Sequence, residues 1–444
     1  MPAEPVRDAA LDVLLRVFDE RAVYLDVSLD KTQRRKKLSE RGRRFLGMLV
    51  YGTVRHKTLC DFVLQQHCHQ PLDELPLVIR TILQMAVFQS LFCDQVTHPA
   101  MVHTSVDLAK HRTHAGLARM VNAVLRKVPQ RLDEITFPDP EKELAKYLKI
   151  RHSMPKWLIR KWMEQFGDET ARALCEASCE TADSILRVNT LKTSKSELLE
   201  RLTNSGVVAA DDVALPNALR VIQGGSLPRT KWFQQGHFFL QDTASMLPAL
   251  LLEPRPGEQV LDMCAAPGGK TTHLAELAEG KARIVAMDAS RTRLWKVLEN
   301  IERLETPGIS VLCGDGMNPP LCGEFDRVLV DAPCSGLGTL RRHPDLKWRM
   351  TPESIEEMAQ NQRTLLRSAI GLCKNNGIIV YSVCTFTPEE TTAVIESVLA
   401  EGGVTLENGP EYLNSWNIAQ GMYQSLPSSG AWDGFFLTRF RKQS

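Results

Sequence analysis

No Cys-x-x-Cys pair occurs among the eleven cysteines of this 444-residue chain. Their odd number and scatter exclude a disulfide framework and the usual zinc sites. Cys175 and Cys179 are four apart with no His or acidic partner at ligand spacing, and read as core thiols. Charge of one sign is also scarce overall. The formal net charge is +1, so no global basic field announces nucleic acid. No apolar run approaches the ~20 residues that span a bilayer, which argues against a membrane protein. The opening MPAEPVRDAALDVLL lacks the basic segment, apolar stretch and cleavage site of a secretory signal. A reducing, cytoplasmic location is therefore expected. Internal repeats and low-complexity segments are absent as well.

The small net charge hides an uneven distribution. Residues 1–150 carry 23 Lys+Arg against 18 Asp+Glu, a net of +5, and the remainder is −4. Within KTQRRKKLSERGRR (31–44), eight basic residues face a single acid, Glu40. An isolated run of this kind is a solvated helix face. Beside the features below it becomes a candidate phosphate-contacting segment.

Hydrophobic periodicity divides the chain into three parts. Apolar residues recur at helical spacing over 6–18, 43–56, 75–92, 98–111 and 116–128, so residues 1–135 read as an all-helical domain. ITFPDPEKE (135–143), with two prolines and acids, marks a boundary. Residues 146–240 read as a small α/β module. Helical pieces are expected at 155–167, 168–178 and 194–204, and short strands at ILRVNT (185–190), LRVI (219–222) and HFFLQD (237–242). From 241 to 444, strand-like runs alternate with helical patterns: EQVLDM (258–263), RIVAMD (283–288), ISVLCGD (309–315), FDRVLVDAP (325–333) and GIIVYSVC (377–384). Several runs are apolar throughout, as in parallel strands covered on both faces. The expected fold class is thus an all-α domain plus a doubly wound, Rossmann-like α/β sheet. Ligands of such sheets lie beyond the carboxyl ends of the strands. Asp262, Asp288, Asp315, Asp331 and Cys384 all fall at such ends.

The loop DMCAAPGGKTTH (262–273) follows the first strand of that sheet and opens a helix. Gly268 and Gly269 let backbone approach a ligand closely, and the helix start offers free N–H groups. A Walker A loop needs a glycine where Cys264 stands, and a G-x-G-x-x-G fingerprint is absent. S-adenosylmethionine fits better, having no phosphates but a ribose with vicinal hydroxyls. Asp288, ending the second strand, can accept both hydroxyl protons, and Asp315 can bind the adenine amino group. Any one strand-end Asp is more often a turn or helix cap. Three at successive strand ends beside a glycine loop reverse that balance.

Cys334, in DAPCSGLG (331–338), and Cys384, in YSVCTFTPEE (381–390), each follow a strand end among turn-forming or polar neighbours. Most isolated cysteines are small buried hydrophobes, and Cys60, Cys93, Cys313, Cys322 and Cys373 read that way. A redox pair would normally carry Cys-x-x-Cys wiring, so it is the minor alternative for Cys334 and Cys384. The major one is methylation of cytosine. A thiolate adding at C6 makes C5 nucleophilic toward a methyl sulfonium, and a base then removes the C5 proton so that the cysteine can leave. Asp331 lies three residues before Cys334, placed for the N3/N4 edge of the base. On local pattern alone Cys334 is the expected nucleophile, because a Pro-Cys pair after a strand serves that role in DNA cytosine-C5 methyltransferases.

DAPCSGLGTLRRHPDLKW (331–348), with DMCAAPGGKT and YSVCTFTPEE, resembles the RNA cytosine-C5 methyltransferases of the Sun/Fmu group. MPKWLIRKWMEQFG, ILRVNTLK and GHFFLQDTASMLPALLLEPRPGEQVLD resemble the same group, and LVYGTVRH with FQSLFCDQVTHPAMVHTSVDLAKHRTHAGLARMVNAVLRKV resembles the RNA-binding factor NusB. That fusion is the mark of the bacterial 16S rRNA methyltransferase B subgroup. The resemblance implies that Cys264, Ala265, Ala266, Pro267, Gly268, Gly269, Lys270, Asp288, Asp315 and Asp331 contact S-adenosylmethionine. It implies Cys384 as the nucleophile, Cys334 as an aid to product release, and Asp331 near both cofactor and base. Three positions depart from the group. Val383 and Thr385 flank Cys384 where Thr and Ser are common, and Gly42 stands where Asp is frequent, a difference that concerns helix capping.

Just beyond Cys334, Arg341, Arg342, His343, Lys347 and Trp348 supply cations and an aromatic face, and are expected to contact RNA. The reading is a monomeric enzyme acting on 16S rRNA, naked or partly assembled, without metal. Two alternatives stand beside it: a non-catalytic RNA-binding assembly factor built on the helical domain, and a DNA methyltransferase.

Overall fold

The computed structural model describes residues 4–19, 23–212, 215–430 and 432–444. The chain forms two compact units, Met1–Glu180 with Leu340–Arg349, and Thr181–Thr339 with Met350–Ser444.

The first unit is helical. Its helices run Pro5–Phe18, Leu25–Arg35, Glu40–Arg55, Lys57–Gln65, Leu77–Phe92, His98–Arg112, Ala115–Leu125, Leu144–Arg151 and Lys156–Ala177. Leu77–Phe92 is the central one, with Ile79 and every residue from Thr81 to Gln89 buried. Gly52 lets Phe88 cross close by, since a Cβ there would lie 1.9 Å from the Phe88 ring. Leu25–Arg35 escaped the periodicity reading because two of its four buried residues, Ser28 and Thr32, are polar. Lys156–Ala177 carries a non-helical Gly167 (φ 79°), which accounts for the two pieces expected there. Both C-terminal helices belong to this unit, whereas the sequence reading grouped residues 146–178 with the strands that follow.

The second unit holds two sheets. The smaller is antiparallel, with strands β1 (Ser184–Val188), β2 (Val208–Asp211), β3 (Ala218–Gln223) and β4 (Phe238–Leu240) in the order β2-β3-β1-β4. The larger comprises β5 (Gln259–Asp262), β6 (Arg283–Asp288), β7 (Ile309–Cys313), β8 (Phe325–Asp331), β9 (Cys373–Val383), β10 (Val404–Leu406), β11 (Asn417–Ala419), β12 (Met422–Ser425) and β13 (Phe435–Lys442). Its order is β11-β12-β13-β9-β8-β5-β6-β7, with β10 also on β13.

Strands β5 to β9 are parallel, as expected. Beyond this parallel row the sheet is mixed. β13 pairs antiparallel with β9, from Phe436↔Val383 to Arg441↔Ile378, and β12 and β11 continue outward from it. β9 is thereby an interior strand, and Ile378–Val383 are all buried. The row β9-β8-β5-β6-β7 sets the carboxyl ends of five strands side by side, although they lie far apart along the chain. Among the described residues, no helix is long and apolar enough to cross a membrane, and no group of three or more His, Cys, Asp or Glu could hold a metal.

Candidate active site

β5 ends at Asp262, and the loop it feeds turns at Gly268 (φ +99°) into the helix Gly269–Leu277. A Cβ at Gly268 would lie 3.2 Å from Val297 Cα, and a left-handed φ is strained for any other residue. The loop is braced by its neighbours. Ala265 N–H donates to Met287 O, and Ala266 N–H donates to Asp288 Oδ2 at 3.2 Å. Asp288 Oδ1 accepts Ser290 N–H at 2.9 Å, and Asp288 is 4% exposed. Asp315 lies just past β7, exposed, and accepts Met317 N–H at 2.9 Å. Burial pushes the Cys264 thiol far up, with Asp262 adding to it, so it stays neutral.

Asp262 is the anomaly of this loop. Its Oδ2 accepts the Thr271 hydroxyl at 2.7 Å, but its Oδ1 is buried and has no partner among the described residues. Burial first, then Asp331, raises its pKa to about 7 against the Thr271 hydrogen bond. A buried acceptor left open in a loop built for a ligand fits the ammonium of an amino-acid-bearing cofactor.

Strand pairing fixes the next group. Asp331 and Ser382 are register partners across β8 and β9, and the Ser382 hydroxyl donates to Asp331 Oδ1 at 2.7 Å. Lys270 Nζ, from the first turn of the helix after the glycine loop, donates to Asp331 Oδ2 at 2.7 Å and to Ser245 Oγ at 3.2 Å. Burial alone would lower the Lys270 pKa, but Asp331 and then Cys384 outweigh it and the net shift is upward. The ammonium form of Lys270 is thereby favoured in the site.

Just past the ends of these two strands, the two cysteines meet. Cys334 Sγ and Cys384 Sγ are 3.2 Å apart, both partly exposed. The Cys334 pKa is raised well above a free thiol, first by the hydrogen bond to Cys384, then by burial and by the charges of Cys384 and Glu390.

The site residues expected on sequence divide in two. Cys264 to Lys270, Asp288, Asp331, Cys334 and Cys384 come from adjacent strand ends. The residues expected to contact RNA are placed elsewhere. Leu340–Arg349 belongs to the helical unit, where Arg341 is 4% and Lys347 1% exposed. Lys347 Nζ donates to Arg55 O at 2.9 Å, Trp348 Nε1 to Val54 O at 3.0 Å, and Arg55 Nη2 to Arg341 O at 2.7 Å. Burial lowers the Lys347 pKa to about 8. Arg342 and His343 are half-buried, and His343 Nδ1 is 2.9 Å from Asp26 Oδ2. Backbone carbonyls of the helical unit satisfy the lysine.

Sequence reading also missed residues that hold the site. Arg187, on β1, is buried and grips the helix Gly269–Leu277 at both ends. It donates to Glu276 through Nε at 3.0 Å and Nη2 at 2.8 Å, to Thr272 Oγ1 at 2.8 Å, and through Nη1 to Gly269 O and Gln241 Oε1. An arginine inside the apolar run ILRV was the available signal.

The chain's parts match known families in the same order. Residues 249–441 match the family described as 16S rRNA methyltransferase RsmB/F, residues 4–130 the NusB family, and residues 154–227 the ferredoxin-like domain of RsmF/B-like methyltransferases. The chain is 33% identical to a probable ribosomal RNA small subunit methyltransferase B of Bacillus subtilis, with all of both chains covered. It is 35% identical to the protein of that name from Synechocystis, covering 97% of this chain and 98% of the relative. Among solved structures, that of PH0851 aligns with a TM-score of 0.82 at 27% identity over 99% of each chain. NSun6 from Pyrococcus horikoshii, solved with SFG, aligns with a TM-score of 0.61 at 27% identity, covering 65% of this chain and 98% of that one. Full-length similarity to enzymes of one name, over the fold whose strand ends carry this site, makes the chain a member of the RsmB/F family of S-adenosylmethionine-dependent 16S rRNA methyltransferases.

Proposed function

We propose that the chain methylates C5 of one cytosine in 16S rRNA through a covalent bond between Cys384 and C6 of the base. The supporting observation is the convergence at adjacent strand ends of the Cys334–Cys384 pair, 3.2 Å apart, and the Lys270–Asp331 ion pair. The hydrogen bond to Cys384, then burial and the charges of Cys384 and Glu390, raise the Cys334 pKa. A thiol whose pKa is raised is the poorer nucleophile near neutral pH, which favours Cys384 for the attack.

Each residue then has a task. The Cys384 thiolate adds to C6, and the electron pair moves to C5. S-adenosylmethionine supplies the methyl group as a sulfonium. Asp331, held between Lys270 and Ser382, accepts a hydrogen bond from the N4 amino edge and orients the base. After C5 has lost its proton, the C6–S bond breaks, and Cys334, 3.2 Å away, gives its proton to the departing Cys384 sulfur. Asp288 receives the ribose hydroxyls, Asp315 the adenine amino group, and residues 264–270 the remainder of the cofactor. RNA beyond the target base is held by Lys31–Arg44, of which Lys31, Arg34, Arg35, Lys36, Lys37, Arg41 and Arg44 are exposed. Arg342 and His343 are the candidates left from the 341–348 group.

The test is incubation with small-subunit rRNA and methyl-labelled cofactor, followed by mapping of the product. Absence of 5-methylcytosine on both naked and partly assembled RNA refutes the reading. Cys384→Ala is expected to abolish turnover and covalent capture, and Cys334→Ala to accumulate an RNA-linked species on a denaturing gel. The opposite pattern reverses the roles.

A further inference from the structure

Beneath the two cysteines lies a fully buried carboxylate, Glu390, which the chemistry above uses only as a charge near Cys334. Its Oε1 accepts Ser335 N–H at 2.8 Å and Gln362 Nε2 at 3.0 Å. Its Oε2 accepts the Thr387 hydroxyl at 2.8 Å and the Ser335 hydroxyl. These donors come from three separate places: the loop after β8, the loop after β9, and the helix Pro352–Leu372. The same Gln362 amide donates at 2.9 Å to Pro333 O, the residue before Cys334. Tyr381, in β9, closes the network from below, its hydroxyl 2.7 Å from Glu390 O and 3.0 Å from Gln362 Oε1.

Proton bookkeeping gives the network a direction. A carboxylate oxygen only accepts, so the single Ser335 hydroxyl proton goes to Glu390. Ser335 Oγ is also 3.0 Å from Thr385 Oγ1, and that bond must take its proton from Thr385. The residue after Cys384 is thereby tied through Ser335 to Glu390, and Ser335 is the residue after Cys334. Thr385 and Ser335 are both fully buried, so no water competes.

We propose that Glu390 is a positioning residue for methyl transfer: one carboxylate fixes both cysteine loops and so sets the Cys334–Cys384 separation. The proposal rests on the covalent reading above. It also explains why Val383 is tolerated before the nucleophile. The hydroxyl that anchors the loop is the one after it, on Thr385.

Glu390→Gln can keep all four hydrogen bonds. Its oxygen faces the two N–H donors, and its amide faces two hydroxyls that can rotate to accept. Glu390→Ala and the shorter Glu390→Asp cannot span the loops. Two readouts are measured. The first is single-turnover methylation of 16S rRNA, alongside cofactor affinity. The second is the rate at which diamide, a dithiol oxidant reduced to its hydrazine, closes a Cys334–Cys384 disulfide, read by non-reducing peptide mapping. In Glu390→Ala, methylation falls on the order of 100-fold with cofactor affinity within about twofold, as for a reacting group displaced by about 1 Å. Disulfide closure slows at least about tenfold, because bridging demands close sulfur and Cβ approach. Glu390→Gln recovers at least about tenfold of the methylation rate over Glu390→Ala. If Glu390→Ala does not fold, Ser335→Ala and Thr385→Val cut the tie between the loops and are expected to slow both readouts without additivity. Variants that match wild type in both rates overturn the proposal, and so does a Glu390→Gln as slow as Glu390→Ala. A wild-type chain that forms no 5-methylcytosine, while the disulfide rates still separate as stated, refutes the methylation reading and leaves the clamp standing.

Discussion

Arg187→Met isolates the contribution of one buried ion pair to the cofactor loop. The Arg187 and Glu276 side chains are 1% and 2% exposed, and their closest approach is 2.8 Å. All three guanidinium nitrogens are engaged, and four of the five bonds end on the helix Gly269–Leu277. Removing the arginine leaves a buried carboxylate without a counter-charge and frees the Gly269 carbonyl in the first turn. Breaking a buried pair in this way costs about 3–5 kcal/mol, or roughly two to four orders of magnitude in the local opening equilibrium. Hydrogen exchange of amides in Gly269–Leu277 reads that opening, and calorimetry reads the weakened binding of S-adenosylmethionine. The effect carries a pH signature. Burial already raises the Glu276 pKa, and only Arg187 opposes it. Without Arg187, the folded state holds the Glu276 proton more tightly than the unfolded chain does, so the variant loses stability as pH rises from about 4.3 through the folded-state pKa. Arg187→Met/Glu276→Leu is expected to recover most of the loss, since an apolar pair replaces the charges. A single variant that costs less than about 1 kcal/mol, or a double variant no better than the single, refutes the reasoning.

Two further outcomes follow from the helical unit. Lys347 has a folded-state pKa of about 8 against an unfolded value of about 10.4, so between those values the unfolded chain binds more protons and stability rises with pH. Lys347→Met is expected to flatten that rise in thermal melts taken from about pH 7.5 to about pH 10.5, and an unchanged slope refutes the burial of the ammonium. Lys31, Lys37 and Arg41 are exposed and make no ion pair among the described residues. Replacing all three by Ala is expected to reduce the salt slope of rRNA binding by about 2–3 in a log–log plot, at ~0.7–0.9 for each phosphate no longer neutralised. An unchanged slope removes this segment from the RNA footprint.

What the sequence determined by itself is local chemistry at strand ends. A parallel strand ends where its apolar run ends, so Asp262, Asp288, Asp331 and Cys384 could be set at the ligand-binding edge from the pattern alone. Gly268 and Gly269 identified the cofactor loop in the same way: Gly268 takes the left-handed turn, and a Cβ on either would crowd a neighbour. The exposed cations of 31–44 were legible too, as a run of charge with few acids of its own. Pairing between distant strands was not legible. The neighbours β8 and β9 are separated by the helix Pro352–Leu372, and their parallel register is what brings Cys334 within 3.2 Å of Cys384. The antiparallel β13 that makes β9 an interior strand lies well beyond it in the chain, and its apolar content alone carries no direction. Burial was likewise decided only in three dimensions. Lys347 and Arg187 are cations that composition assigns to the surface. The carbonyls of Arg55 and His152 in one unit, and the Glu276 carboxylate in the other, supply the partners that make their burial possible. Glu390 is the same case near the reactive sulfurs: a charged residue in a TPEE turn, whose four donors converge only when two strand ends and a helix have met.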